Sequence, residues 1–233
     1  LERYAKMETE VKTARARHYL SPARQIWLSV SETLTWKLWI FIVFSLVMPT
    51  SVNAANLTWD IAPGDAGIIT DGSGNWSDGG GNWNTGAGDT TWNNATPANA
   101  TIGSGGSAGA LTFTGPVTVG NIIFNAPAGY TVSGNTLTLS GTPTINAAVN
   151  STISSTLAGT GFTKTGSGTL TLYGVNTISG NVIVNGGTLL VDNNSALGSS
   201  PMVTVNNTYM LRLDNGITLN SVPLTITGSG NNQ

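Results

Sequence analysis

The sequence predicts an all-β protein built from repeated units. From about residue 110 onward, short runs alternate an aliphatic residue with Thr, as in Leu-Thr-Leu at 137–139 and again at 170–172. This period of two is typical of a strand with one buried face. Gly, Asn, Ser or Pro separates nearly all of these runs, and no stretch there has helical spacing longer than a turn or two.

A small Gly-flanked module recurs along this region. Residues 134–141 (Gly-Asn-Thr-Leu-Thr-Leu-Ser-Gly) are echoed by residues 168–174 (Gly-Thr-Leu-Thr-Leu-Tyr-Gly). Self-similarity of this kind indicates stacked units, and the 19 residues from Leu170 to Leu189 are close to one coil of a parallel β-helix. A β-sandwich is the alternative, because strands at regular short spacing fit it as well. The Gly-flanked repetition favours the solenoid.

An export signal is predicted before the repeats. Residues 38–48 are uncharged and apolar, follow Lys37, and are succeeded by Pro49 and a small-residue stretch that permits cleavage after Ala54 or Ala55. The 11 apolar residues are too few for a membrane-spanning helix. Residues 1–37 exceed what such a signal needs and open on Leu1, so they are expected to be an extended or misassigned leader.

Charge and composition exclude several functions. From Ala55 onward there are two basic and seven acidic side chains, a net charge of −5, which does not suit nucleic acid. The same region has no His, Cys or Glu, which removes most general bases, thiol nucleophiles and zinc sites. A glycosidase could still use two Asp, but Asp192 and Asp214 are isolated in the sequence. No catalytic residue, metal or cofactor is predicted.

The segment between residues 55 and 109 is rich in Trp, Gly and Asn. One interpretation is a carbohydrate platform in which Trp76 and Trp83 stack on sugar rings; the favoured one is a cap that closes the open end of the solenoid. Residues 71–78 place oxygen atoms at alternate positions, as a Ca²⁺ loop would, but the Gly and the twelfth residue do not fit an EF-hand. An Asx-rich turn is favoured there.

Residues 161–198 carry four short motifs in order: Lys-x-Gly-x-Gly-x-Leu-x-Leu, Gly-x-Asn-x-x-x-Gly, Asn-Gly-Gly-x-Leu and Ala-Leu-Gly. This arrangement resembles the autotransporter-associated β-strand repeat. The residues that carry the resemblance are Lys164, Gly166, Gly168, Leu170, Leu172, Gly174, Asn176, Gly180, Gly186, Gly187, Leu189, Ala196, Leu197 and Gly198.

The resemblance implies a right-handed parallel β-helix in the passenger of a type V-secreted protein, or in a related large bacterial repeat protein. It implies a role in passenger folding and export rather than in chemistry. The implied partners are the secretion machinery and an outer-membrane translocator supplied outside this sequence, and a glycan or another surface ligand is also expected. The implied location is outside the cell or on its surface.

We therefore expect an exported, adhesin-like and non-catalytic β-helical scaffold. Its expected parts are a leader (1–37), a signal h-region with the cleavage site (38–54), a Trp-rich cap (55–109) and a solenoid (110–233). The alternatives are a secreted carbohydrate-binding module that uses the Trp-rich segment, and a polysaccharide-active β-helix enzyme.

Overall fold

The computed structural model describes residues 54–64, 68–219 and 222–227, which all lie in one compact unit, Pro49–Gln233. The predicted leader and signal h-region lie outside the described residues; Ala54 and Ala55 are the first two that are described. All regular secondary structure in this part of the chain is β, and no helix found there could span a membrane.

The strands form three sheets. The first has ten strands, in spatial order β21 (Leu224–Ile226), β19 (Val203–Val205), β17 (Val182–Val184), β14 (Phe162–Thr165), β11 (Thr144–Ala147), β8 (Ile122–Phe124), β5 (Asn99–Ile102), β1 (Asn56–Trp59), β3 (Trp83–Asn84) and β4 (Asp89–Thr90). The second has seven, β2 (Gly74–Trp76), β6 (Ala110–Phe113), β9 (Tyr130–Gly134), β12 (Ser151–Ile153), β15 (Thr169–Leu172), β18 (Thr188–Val191) and β20 (Met210–Leu213). The third has four, β16 (Thr177–Ile178), β13 (Leu157–Gly159), β10 (Leu137–Leu139) and β7 (Val117–Val119).

From β5 onward, successive strands of the chain belong to different sheets, and each strand pairs in parallel with its counterpart one coil away. In the first sheet, Ile122 pairs with Ile145, Ile145 with Lys164, Lys164 with Val184 and Val184 with Val205. The intervals are 23, 19, 20 and 21 residues, one coil each. The predicted parallel β-solenoid is therefore confirmed, and the β-sandwich alternative is wrong.

Burial follows the predicted alternation. Most strands show a buried, half-buried, buried pattern, as in Val117–Val119 and Leu137–Leu139, because alternate side chains point to opposite faces. The inward aliphatics form one continuous column along the axis. Strands of two to five residues bury too little surface to stand alone, so each coil depends on its neighbours for a core.

Parallel pairing starts within the Trp-rich segment. The strand β1 pairs with β5, and β2 pairs with β6. An antiparallel hairpin, β3–β4, then lies beyond β1 at the end of the first sheet. The segment 55–109 thus contributes both the first coil and an addition to its outer edge.

Candidate functional site: the repeat unit and the tryptophan cluster

Lys164 points into the core. Its side chain is fully buried in the inward column between Ile145 and Val184. The Nζ atom donates hydrogen bonds to the carbonyl oxygens of Thr165 at 2.9 Å, Gly166 at 2.9 Å and Gly168 at 2.7 Å. All three donors of the ammonium group therefore have a partner. We call this arrangement the lysine clasp.

The clasp closes the turn between β14 and β15. Gly166 has a φ of +77°, a backbone conformation that residues other than Gly rarely adopt. It turns the chain so that three carbonyls face inward. Burial lowers the pKa of Lys164 to about 8, because an apolar surrounding disfavours the charged form. The three carbonyl bonds favour the charged form and oppose that shift.

Asn176 joins three consecutive coils. Its side chain is buried; Oδ1 accepts from the backbone N–H of Leu157 at 2.7 Å, and Nδ2 donates to the carbonyl of Ala196 at 2.6 Å. Leu157 lies one coil before Asn176 and Ala196 one coil after it. A buried amide with both ends paired to backbone fixes the register of these coils, since a shift in either direction would leave a polar group unsatisfied.

The glycines of the repeat lie where neighbouring coils approach most closely. A Cβ at Gly180 would lie 1.6 Å from the carbonyl oxygen of Thr160 in the preceding coil. The other repeat glycines would also bring a Cβ within 2.7 Å of backbone atoms of an adjacent coil; they are Gly166, Gly168, Gly174, Gly186, Gly187 and Gly198. Glycine is needed at these corners because the backbones touch.

The aliphatic residues of the repeat fill the core. Leu170 pairs with Leu189 on the next coil, and these two and Leu172 are fully buried. Ala196 and Leu197 are also buried, although they lie in turns rather than in a strand. The third sheet ends at β16, and Ala196 and Leu197 lie in the following coil, beyond that last strand. Every motif residue thus contacts the core or a neighbouring coil.

Four indoles form a cluster in the first coil. Trp59, Trp76, Trp83 and Trp92 are each at most 1% exposed, and their ring centroids lie 4.6 to 5.4 Å apart in edge-on or tilted pairs. Phe113 of the next coil joins them, 5.2 Å from Trp76. Such pairs contribute about 0.5–1.5 kcal/mol each beyond burial. The cluster therefore forms the aromatic end of the continuous core.

Polar contacts hold the hairpin beyond β1 to this cluster. Asp60 is fully buried and accepts from the N–H groups of Ala62 and Thr70, both at 3.1 Å. Asn84 donates to Asp89 at 3.1 Å and lies 3.4 Å from Asp60. Sequence reasoning missed these residues, because Asp and Asn in a Gly-rich stretch indicate turns in general and no particular partner.

The indoles that the carbohydrate alternative requires are inaccessible. Trp76 and Trp83 are both 0% exposed, so neither offers a ring face to a sugar. Their Nε1 atoms are buried without a hydrogen-bond acceptor among the described residues. The geometry supports packing rather than ligand binding at these two positions.

The two carboxylates of residues 71–78 accept hydrogen bonds from different parts of the backbone. The Asp71 carboxylate accepts from the N–H groups of Ser104 and Gly106, at 2.8 Å and 2.7 Å, while Asp78 accepts from the N–H of Asn94 at 2.8 Å. Within the described ranges no three His, Cys, Asp or Glu side chains are grouped as metal ligands. Asp71 ties the first coil to the next one instead of closing a local turn.

Fold and contacts together define a parallel β-solenoid whose repeat residues fasten one coil to the next. A family model described as the passenger-associated transport repeat matches residues 162–191. The adhesin BmaC autotransporter of Brucella suis biovar 1 (strain 1330) is 40% identical over 187 residues, which cover 77% of this chain. The chain spans about 5% of the length of that relative. No solved structure matches the chain.

The chain carries the autotransporter-associated repeat. The resemblance inferred from Lys164, Asn176 and the repeat glycines is thus confirmed. The family match also agrees with the structure, since residues 162–191 contain the lysine clasp and Asn176. The chain is a passenger-like β-solenoid.

Proposed function

We propose that this chain is a non-catalytic scaffold segment of an exported, adhesin-like surface protein. The observation that carries the proposal is that Asn176 and the repeat glycines all contact neighbouring coils, and that Lys164 closes a turn within its own coil. A repeat whose residues contact neighbouring coils builds length, and length holds a binding region away from the cell.

The chemistry of the chain supports the non-catalytic part of this proposal. From Ala55 onward the sequence has no His, Cys or Glu. Lys164, whose pKa is lowered by burial, uses all three of its hydrogen-bond donors within the clasp. A relative that carries the name adhesin supports the surface role. The secretion machinery and a translocator outside this sequence are the partners that export would require.

The repeat also suits folding after export. Each coil can form on the one already in place, because its contacts are with adjacent coils and stability grows by nearest-neighbour addition. The tryptophan cluster supplies a well-packed first coil on which others can build. We infer that the repeat promotes folding outside the membrane by fixing the register of each arriving coil.

Surface display tests this role. The chain is placed as a passenger ahead of a heterologous translocator, and displayed protein is measured by flow cytometry with antibodies raised against the purified chain. Wild type is expected on the surface, and Gly180→Ala is expected to reduce display several-fold. Gly115→Ala is the matched control, since nothing lies within 4 Å of its Cβ position. Equal display of Gly180→Ala and wild type would contradict the folding role. Polysaccharide cleavage by the purified chain would contradict the non-catalytic one.

A further inference from the structure

An exposed tyrosine lies in the middle of the stack, where the coils on both sides are in place. Tyr173 is 46% exposed and Val175 is 61% exposed, and both flank the buried Gly174 in the turn after β15. Most other exposed large apolar side chains of the described residues belong to the last coils, among them Met210, Leu213, Leu224 and Ile226. Tyr173 is therefore not exposed because it lies at an uncovered end of the solenoid.

Polar side chains extend from Tyr173 along the same corner. The strands β15, β18 and β20 pair in register, so that Leu172 lies beside Val191 and Val191 beside Leu213. The next residues are Tyr173, Asp192 and Asp214, and the ladder continues through the backbone bond from Asp192 N to Leu172 O at 3.1 Å. Asp192 and Asp214, isolated in the sequence, thus follow each other on consecutive coils.

Hydrogen bonds fix the orientation of these carboxylates. Asn215 Nδ2 donates to Asp192 Oδ1 at 2.5 Å, and Arg212 donates to both oxygens of Asp214, at 2.7 Å and 2.6 Å. The neighbouring Asp192 carboxylate raises the pKa of the Tyr173 phenol. The two carboxylate groups are therefore held in fixed orientations at the surface.

We propose that this corner, formed by Tyr173, Val175, Asp192, Asp214 and Asn215, binds a neutral glycan. An exposed aromatic ring offers its face to the C–H groups of a pyranose, and carboxylate and amide oxygens accept hydrogen bonds from sugar hydroxyls. Successive coils place such groups about 4.8 Å apart along the axis, so a linear glycan can contact one coil after another. The proposal deepens the proposed function, because it gives the surface scaffold a ligand class.

Charge selects a neutral ligand over an acidic one. Arg212 pairs with Asp214, whereas the side-chain partner of Asp192 is the neutral amide of Asn215, so the corner keeps an uncompensated negative charge. The chain from Ala55 onward has a net charge of −5. Uronic acids, sialic acids and sulfated glycans would be repelled. The Trp-rich segment is not needed for this binding.

The purified chain is tested on an array of neutral and acidic oligosaccharides, followed by titration calorimetry with the neutral probes that bind. We expect binding to neutral oligosaccharides only, at least a tenfold loss with Tyr173→Ala, and a smaller loss with Asp192→Ala. Tyr209→Ala is the matched control, because Tyr209 is a tyrosine at the opposite end of β20 that is 37% exposed. This variant should bind like wild type. Circular dichroism checks that each variant is folded.

Three results would overturn the proposal: no neutral glycan bound by wild type, equal binding by Tyr173→Ala, or binding abolished by a calcium chelator and unaffected by Tyr173→Ala. Binding by the purified chain does not depend on export. A negative result here would therefore leave the display experiment unaffected, and failure of display would leave glycan binding to be measured separately.

Discussion

Replacing Lys164 by Met tests whether the lysine clasp stabilises the repeat. Methionine keeps an unbranched stem of similar length and removes the ammonium group. The three bonds to Thr165, Gly166 and Gly168 are charge-assisted, worth about 1.5–3 kcal/mol each. Against this stands the desolvation that lowers the pKa from 10.5 to about 8, a cost of about 3 kcal/mol. The free energy of unfolding should fall by roughly 1.5–6 kcal/mol.

The assay is urea denaturation of the purified chain at pH 7, followed by far-UV circular dichroism. Ile145→Met is the matched control, since Ile145 lies directly beside Lys164 in the same inward column and a volume-conserving apolar exchange costs under about 1.5 kcal/mol. A buried charge can be dispensable when an apolar residue replaces it. If Lys164→Met were as stable as wild type or more stable, the clasp would not stabilise the fold and our reasoning would fail.

The remaining predictions concern pH, register and the first coil. The folded chain loses the Lys164 proton near pH 8 and the unfolded chain near pH 10.5, so the stability of wild type relative to Lys164→Met should rise with pH between these values; a flat difference in parallel urea titrations would count against it. Asn176→Ala leaves two buried backbone groups unpaired and should lower the free energy of unfolding by about 2–4 kcal/mol in urea denaturation. A change under about 0.5 kcal/mol would show that Asn176 does not fix the register. Trp76→Ala should destabilise the first coil by about 3–5 kcal/mol, and hydrogen exchange should show faster opening of β1 and β5 than of β15. Equal protection of both regions would refute a local stabilising role of the tryptophan cluster.

The strands were predictable because their signal is local. Alternation of Leu or Val with Thr sets which side chains share a face, and Gly and Asn set where a strand ends. The runs at 137–139 and 170–172 accordingly appear as strands with buried ends. The coil length was predictable only where the repeat is regular, at the 19-residue interval from Leu170 to Leu189.

The roles of individual polar and aromatic residues were less predictable. Indoles set among Gly, Asn and Asp suggest either exposure or packing, and only the positions of Phe113 and the hairpin β3–β4 place Trp76 and Trp83 inside. Asp192 and Asp214 are 22 residues apart in the sequence, yet they follow paired strands. Sequence spacing does not reveal such pairs when loop lengths vary from coil to coil.

The sequence by itself determined that this is an all-β repeat protein and which residues form the repeat, since period and composition are properties of neighbouring residues. The tertiary structure decided where the repeat residues point. By hydrophobicity Lys164 belongs on the outside, but the turn at Gly166 and Gly168 turns three carbonyls inward, and the ammonium group satisfies them there. Contacts of this kind depend on the positions of backbone groups that are fixed only when the chain folds into coils. They are therefore decided by the fold and not by the local sequence.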